Sequence, residues 1–361
     1  MHKNSPLRQI SKTCRTAILL ALIAALIIAQ TGCSIGSSEP VVGEEYKLDT
    51  ICTVSVYEIK NSDGKPTAAP KLEKESQAAI DDAFKLCDEL ERKLSRTIKD
   101  SDISKINEAR GEWTSVSNDT LELIQKGIEY SELSGGAFDI SVGGITELWD
   151  FHAAEGKEKL PSEDALSKAA EHIDYRKIEI DGDKVRLKDP ESKIDLGGIA
   201  KGYIGDRMAE LLEGSGVTSA IINLGGNVIC IGGKSDEEDF VIGVEAPFSD
   251  RTEIIGKVKS RDKTLVTSGI YERKMEIDGK LYHHILNTET GWPVDTDLNA
   301  VTLIAVKGRS ADIDALSTIC LIKGAEAGRA LIDEIDGIEG IFVKSNNSIE
   351  ATSGAEFEKA K

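Results

Sequence analysis

The segment Asp195–Gly205, DLGGIAKGYIG, brings together residue types that suit a phosphate or pyrophosphate. Gly197 and Gly198 have no Cβ, so the backbone can approach a ligand closely. Lys201 supplies a positive charge, and a helix predicted over about 203–212 starts just behind it, where anions are favoured. The segment matches neither the P-loop pattern nor the dinucleotide fingerprint. A Gly-Gly turn before a helix is also a common structural feature, so this segment alone does not identify a site.

A second candidate segment is Ser310–Thr318, SADIDALST. Asp314 and Thr318 are four residues apart, so on a helix they share one face about one turn apart. A carboxylate and a hydroxyl with room for water and phosphate oxygens suit Mg²⁺. The same spacing is also typical of an aspartate near a helix start and of a threonine bonded to the preceding turn.

His283 and His284 are the one adjacent histidine pair of the sequence. Neighbouring side chains on a strand point to opposite faces, so only one of the two can serve a site. The sequence has neither an H-E-x-x-H motif nor a Cys/His ligand spacing, which argues against zinc. A histidine that simply hydrogen-bonds its surroundings is the structural alternative.

The elements that must position these residues follow from hydrophobic periodicity and turn signals. Strands are predicted at Tyr46–Tyr57, Ser219–Ile231, Phe240–Glu245, Glu253–Lys259, Lys263–Ser268, Lys280–Leu286, Ala300–Val306 and Gly340–Lys344, and a hairpin at Arg176–Lys188. Helices are predicted at Ile80–Leu94, Asn118–Leu133, Ser310–Leu321 and Ala325–Asp336. The irregular alternation with hairpins predicts an α+β fold, with mixed and antiparallel sheets and flanking helices, rather than a doubly wound parallel sheet.

Length and charge limit the classes of function. With 361 residues the chain is large enough for one large domain or two lobes. Its net charge of -19 argues against nucleic acid as a partner, because nucleic acid binding rewards a basic surface. A phosphate ligand would therefore need a local cation from lysine or a metal. Four scattered cysteines lie in apolar patterns and are predicted to be buried free thiols: Cys52, Cys87, Cys230 and Cys320.

The N-terminal segment has the pattern of a secretory signal peptide. Basic residues precede the apolar run Ala17–Ala29, which is shorter than the ~20 residues of a membrane span. Cys33 follows small residues and looks like the lipidated cysteine of a bacterial lipoprotein; a plain signal or an uncleaved anchor are the alternatives. The predicted organisation is a lipoprotein signal peptide at 1–33, a flexible tether at 34–45, the globular domain at 46–345 and a polar tail at 346–361.

Six segments together resemble the successive motifs of the ApbE family, the FAD:protein FMN transferases. They are GGAFDISVGGITELWDFH, DLGGIAKGY, INLGGNV, TSGIYER, HHILNTETGWP and ADIDALST, in order and at similar spacing. The resemblance covers about 46–340 and implies an ApbE-like fold, related to the T-fold, in a two-lobed single domain. The lipoprotein-like N-terminus also matches many members of that family.

The resemblance implies a reaction and its partners. The expected activity is Mg²⁺-dependent transfer of the FMN moiety of FAD to a Thr or Ser hydroxyl of a target flavoprotein, with release of AMP. Targets in the family include membrane redox-pump subunits and extracytoplasmic flavin reductases. The expected location is the extracytoplasmic face of the bacterial cell membrane, reached through the lipid anchor. An FAD pyrophosphatase releasing FMN and AMP, and a non-enzymatic flavin-binding lipoprotein, are the alternatives.

The resemblance also implies roles for individual residues. The metal ligands would be the Gly198 carbonyl, the Asp314 carboxylate and the Thr318 hydroxyl. His284 matches the residue proposed to help the attacking hydroxyl, and Lys201 would neutralise charge on the diphosphate. The expected FAD contacts are Leu48, Ala137, Phe138, Asp139, Asp195, Lys201 and the backbone near Ile285.

Overall fold

The computed structural model describes residues 39–60, 64, 69–151, 159–249 and 253–360. The predicted signal peptide, the apolar run Ala17–Ala29 and Cys33 lie outside these residues. Among the helices of the described part, none is long and apolar enough to cross a membrane.

An eight-stranded sheet forms the centre of the fold, in the order β1-β2-β6-β7-β10-β13-β14-β15, and every neighbouring pair is antiparallel. The strands of the described residues are β1 Val41–Lys47, β2 Thr50–Ile59, β3 Thr114–Ser115, β4 Ile178–Asp181, β5 Lys184–Leu187, β6 Val217–Leu224, β7 Asn227–Ile231, β8 Phe240–Glu245, β9 Ile254–Ser260, β10 Lys263–Gly269, β11 Lys274–Ile277, β12 Lys280–His283, β13 Leu298–Val306, β14 Ile338–Lys344, β15 Ile349–Ala351 and β16 Phe357–Lys359. Strand β13 is central because its apolar run is buried at every residue except the last.

Helices cover one face of this sheet. The helices are α1 Ala69–Leu94, α2 Asp102–Glu108, α3 Asn118–Ser134, α4 Gly143–Trp149, α5 Glu163–Ala170, α6 Ala200–Gly214, α7 Ser310–Lys323 and α8 Ala325–Asp333. Helix α1 packs on β1 and β2, α6 on β6 and β7, and α7 on β10 and β13. The main hydrophobic core lies between these helices and the sheet.

Smaller sheets complete the fold. A three-stranded sheet in the order β16-β9-β8 packs Val244 and Val258 against Leu265 and Ile304 of the central sheet. The β4–β5 hairpin with β3 and the β11–β12 hairpin form two further small sheets. A separate, smaller core surrounds Trp149. The residues from Pro40 onward form one compact unit, so the predicted α+β fold with mainly antiparallel sheets and flanking helices is confirmed.

Two predicted strands are wrong because each is a hairpin. The segment 46–57 contains the turn Leu48–Asp49, where φ is 54° and 59°. The alternation of side chains continues through this turn, which has neither Gly nor Pro to reveal it. The segment 219–231 folds back at Gly225–Gly226, where positive φ angles of 63° and 103° require glycine. The predicted strand 280–286 ends at His283.

The predicted tether and tail are wrong in part. Val41–Glu45 belongs to β1, because Val41 pairs with Val56 and Gly43 packs closely on Ile80. Two segments of the predicted polar tail form the short edge strands β15 and β16. The prediction of buried free thiols is confirmed for Cys52, Cys87, Cys230 and Cys320.

Helices α6 and α7 touch at Gly202. A Cβ on Gly202 would lie 2.3 Å from the Ser310 carbonyl oxygen, a contact with backbone that cannot move aside easily. We expect Gly202→Ala to lower the free energy of unfolding by about 1–3 kcal/mol through overpacking, measured by chemical denaturation.

Gly214→Ala, in the same helix, is the matched control. Nothing lies within 4 Å of a Cβ at Gly214, so this change should be neutral or stabilise the protein by up to about 1 kcal/mol. Equal stability of the two variants would contradict the close contact at Gly202.

Candidate active site

A cavity opens beside the first turn of α6, the end of β10 and the inner face of α7. It has about 1060 Å³ of space, its opening to solvent included. The lining includes all the predicted site residues except Leu48 and Cys33: Ala137, Phe138, Asp139, Asp195, Gly198, Lys201, His284, Ile285, Asp314 and Thr318. Leu48 lies in the β1–β2 turn, and its contact with FAD stays a prediction.

Gly198 lies directly against α7. A Cβ at this residue would be 2.9 Å from the Phe138 ring and 3.8 Å from the Thr318 hydroxyl oxygen. The absence of a side chain therefore allows the loop backbone to approach the threonine. This is the close approach that the Gly-Gly pair indicated.

The Asp314 carboxylate is buried at the α6–α7 contact, with 3% of the residue exposed. Its Oδ2 accepts the backbone N–H of Gly202 at 2.9 Å. Burial raises the pKa of Asp314, and the charge of Lys201 and this hydrogen bond oppose the rise. Thr318 Oγ1 contacts the Asp314 carbonyl oxygen at 3.4 Å, so one turn of α7 presents both residues to the cavity.

Asn227 is fully buried beside this carboxylate and helps to keep the pKa of Asp314 from rising further. Neither polar atom of its amide is within hydrogen-bond distance of a partner among the described residues, so the amide acts on the Asp314 carboxylate from just beyond that distance. No group of three or more His, Cys, Asp or Glu side chains suited to a metal occurs in the described ranges.

The oxygen donors present fit Mg²⁺ better than a softer metal. A carboxylate, a hydroxyl and a backbone carbonyl are hard ligands, and Mg²⁺ commonly completes its shell with water and substrate phosphate. Gly198, Asp314 and Thr318 line the same cavity, and their backbone carbonyl, carboxylate and hydroxyl would supply such donors to a metal.

Lys201 lies in the first turn of α6, which begins three residues earlier than predicted. Its Nζ is 4.0 Å from Glu272 Oε2. Burial raises the pKa of Glu272, and the charge of Lys201 limits the rise. Arg273 and Arg96 also line the cavity; Arg96 is bonded to Asp195, so Lys201 and Arg273 are the cations that face the same space as Asp314 and Glu272.

Glu272 and Arg273 were missed as individual residues, although both belong to the TSGIYER motif. A usable signal was present, because two charged residues follow Ile270 and Tyr271 just after the strand that ends at Gly269. Charged side chains at the end of a buried strand are expected at a site or a surface rather than in a core.

Asp195 holds the glycine loop in place. Its carboxylate accepts hydrogen bonds from Arg96 Nε at 2.7 Å, Thr146 Oγ1 at 2.7 Å and the Gly197 N–H at 2.8 Å. Burial opposes ionisation, but the Arg96 charge and these hydrogen bonds hold the pKa of Asp195 below its ordinary value. Sequence reasoning missed Arg96 and Thr146, since each is distant in sequence and has no recognisable spacing to Asp195.

The Asp139 carboxylate also accepts three hydrogen bonds, which hold the loop around it. Its Oδ1 accepts the N–H and the hydroxyl of Ser141, and its Oδ2 accepts the Tyr175 N–H at 2.9 Å. Burial raises the pKa of Asp139, and these hydrogen bonds limit the rise. Asp139 thereby fixes the loop in which Ala137 and Phe138 face the cavity.

His284 faces the cavity, whereas the neighbouring His283 is buried away from it. His284 Nδ1 is 3.1 Å from the Arg273 carbonyl oxygen. Because a carbonyl can only accept, Nδ1 carries the proton and Nε2 keeps a lone pair. Burial, with a smaller effect of the Arg273 charge, lowers the pKa of His284 to about 3, so the ring is neutral at pH 7. Next along the chain, the Ile285 carbonyl accepts the Val294 N–H at 2.9 Å and fixes this segment.

Comparisons with known proteins agree with this architecture. Residues 48–342 match the ApbE family. The chain is 32% identical over 326 residues to the FAD:protein FMN transferase of Treponema pallidum, covering 86% of each chain. It is 34% identical over 284 residues to that of Klebsiella pneumoniae, covering 77% of this chain and 86% of the relative.

A solved structure shares the fold. The crystal structure of the ApbE protein of Thermotoga maritima superimposes with a TM-score of 0.76 at 29% identity, covering 88% of this chain and 97% of that one. The matched range includes every described residue of the cavity discussed above. The chain therefore belongs to the ApbE family.

Proposed function

We propose that this protein transfers the FMN moiety of FAD to a threonine or serine hydroxyl of a target flavoprotein and releases AMP. Relatives at 32% and 34% identity are named FAD:protein FMN transferase, which supports this activity. One observation carries the proposal. A single cavity combines oxygen donors that suit Mg²⁺, two cations that suit a diphosphate and a neutral histidine with a free lone pair.

The metal part of the proposal depends on three residues. The Gly198 carbonyl, the Asp314 carboxylate and the Thr318 hydroxyl would hold Mg²⁺. A bound Mg²⁺ neutralises charge on the diphosphate oxygens as AMP leaves. Since the protein carries a net charge of -19, local cations are needed to hold an anionic substrate.

Side chains of the cavity would bind the diphosphate and accept the proton of the attacking hydroxyl. The hydroxyl oxygen of the acceptor forms a bond to the phosphorus of the FMN moiety. The bond from that phosphorus to the bridging oxygen breaks, and AMP leaves with this oxygen. His284 Nε2 is placed to accept the hydroxyl proton, because Nδ1 is held by the Arg273 carbonyl, and the negative charge of a bound diphosphate would raise the pKa of the ring above its value in the FAD-free protein. Lys201 and Arg273 bind the diphosphate and orient the phosphorus toward the acceptor.

The decisive experiment follows the fate of FMN. The purified protein is incubated with FAD, Mg²⁺ and the recombinant flavin-binding domain of a membrane redox-pump subunit, and the domain is weighed by mass spectrometry. Covalent FMN on the acceptor threonine supports the transferase. Release of free FMN without any adduct would instead support a pyrophosphatase, and intact FAD would support a flavin-binding protein.

Asp314→Asn tests the role of the buried carboxylate. The amide oxygen can still accept the Gly202 N–H, so we expect near wild-type thermal stability. Loss of the negative charge should weaken Mg²⁺ binding and lower the rate of adduct formation by about 100-fold or more. Mass spectrometry measures the rate, and titration with Mg²⁺ measures the metal affinity.

Asp312→Asn is the matched control on the same helix. Asp312 pairs with Lys126 and Arg309 and does not line the cavity, so its loss should leave the transfer rate unchanged. Full activity of Asp314→Asn with unaltered Mg²⁺ dependence would exclude Asp314 as the metal ligand.

The lowered pKa of His284 predicts an unusual titration. Because the folded-state pKa lies below the ordinary value, the ring should stay neutral as pH falls from 8 to 5. NMR of labelled histidine in the FAD-free protein should show no protonation of His284 over this range. The unfolded protein, in which the pKa is about 6.5, is the control. Titration of folded His284 between pH 6 and 7 would contradict the burial and the charge environment described here.

We further propose that the protein is anchored to the extracytoplasmic face of the cell membrane through a lipid on Cys33. The basic and apolar pattern before Cys33 supports this location. The target domains would then lie at the same membrane surface. The acidic charge of the protein argues against nucleic acid as a further partner.

Cys33→Ser should prevent lipidation and move the protein from the membrane fraction to the soluble extracytoplasmic fraction. Fractionation followed by immunoblotting measures this shift. Retention in the membrane fraction would contradict anchoring at Cys33, whereas activity of the purified protein should be unaffected.

A further inference from the structure

A second cleft runs along strand β8 and shares Glu272 with the catalytic cavity; we name it the β8 groove. One wall consists of the consecutive residues Val241–Glu245, and the opposite wall is the open face of the central sheet, from Thr53 on β2 across β6, β7 and β10 to Thr302 on β13. It has about 990 Å³ of space, its opening included. Its lining mixes polar side chains such as Thr53 and Asn223 with apolar ones such as Ile221 and Leu265.

The groove follows the edge of β8 rather than one of its faces. Alternate side chains of a strand point to opposite faces, so a cleft over one face would touch every second residue. Here five consecutive residues line it. Among the described strands, β8 pairs with β9 only, so its other edge faces the groove.

The hydrogen-bonding groups on that edge can be assigned. Ala246, just after β8, donates its N–H to the Glu253 carbonyl on the β9 side. Backbone groups of successive residues point alternately to opposite edges of an antiparallel strand. The N–H and C=O groups of Val241, Gly243 and Glu245 therefore point into the groove.

The two ends of the groove differ. At the start of β8 the Phe240 ring packs 5.0 Å from the Tyr57 ring and closes that end. At the other end the groove shares Glu272 with the catalytic cavity, and the Glu272 carboxylate is 4.0 Å from Lys201 Nζ. A strand of six residues beside β8 would extend about 20 Å and reach this junction.

We propose that the acceptor segment of the target protein binds in the β8 groove as an added strand, which delivers its threonine hydroxyl past Glu272 into the catalytic cavity. The inference rests on the proposed transferase function, which requires a protein acceptor. Main-chain hydrogen bonds from Val241, Gly243 and Glu245 give affinity, as in other cases of strand addition. The small polar side chains Thr53 and Asn223 leave space for the side chains of the added strand.

Gly243→Pro tests the groove. Because its N–H points away from β9, proline removes a donor for the acceptor and obstructs the edge but leaves the hydrogen bonds of the β8–β9 ladder. Its Cβ would lie 3.0 Å from Ile254 Cγ2, so the folding of this variant is checked by thermal denaturation. With the redox-pump domain described above, we expect the KM for the acceptor to rise about tenfold or more, a change typical of losing main-chain contacts. Affinity for FAD, measured by flavin fluorescence, should not change.

Lys359→Pro is the matched control on the opposite edge of the same small sheet. Ala360 donates to Ile255 on β9, so the N–H of Lys359 points outward. This variant should have wild-type kinetics for both FAD and acceptor. Thr53→Tyr provides a second test, since it fills the opposite wall of the groove without changing β8, and it should also raise the KM for the acceptor alone.

The outcomes separate the inference from the function on which it rests. Wild-type transfer with unchanged acceptor KM in both Gly243→Pro and Thr53→Tyr would overturn the groove while leaving the transferase in place. Weakened FAD binding in the folded Thr53→Tyr protein would also overturn it, because the groove would then belong to FAD. Absence of any adduct with the wild-type protein would remove the transferase and the inference together.

Discussion

The site depends on one hydrogen bond, which the backbone N–H of Gly202 donates to the Asp314 carboxylate. It joins helices α6 and α7, and the two bonded residues are 112 positions apart in the sequence. Close packing of Gly202 on Ser310 brings the helices near enough for this bond to form. The same contact brings the glycine loop ahead of α6 to the face of α7 that carries Asp314 and Thr318. The proposed diphosphate-binding and metal-binding residues thus belong to one structural unit.

Buried charge is the main physical cost of this arrangement. The pKa values of the buried Asp314 and the half-buried Glu272 are raised, and Lys201 opposes that rise for both. Asp195 differs, because Arg96 and two other donors hold its carboxylate ionised. An acidic protein can therefore have a cavity that suits an anion, because cations lie next to the carboxylates that line it.

The sequence predicts the local chemistry of the site better than its long-range contacts. Asp314 and Thr318 could be placed on one helical face from their spacing, and Gly198 from its lack of a side chain. Arg96 and Thr146 could not be connected to Asp195, because only the tertiary fold brings them together. The ApbE resemblance supplied the connection between distant motifs, which periodicity cannot provide. The turn at Leu48 was missed for a local reason, since positive φ at a non-glycine residue has no clear sequence signal.

The imidazole of His284 is held by the main chain of Arg273, not by its guanidinium. Any amino acid at position 273 has the same carbonyl oxygen. During evolution this side chain can therefore be exchanged without changing the tautomer of the ring. Related proteins could in this way differ in the charge that lines the cavity and still keep the proposed proton acceptor.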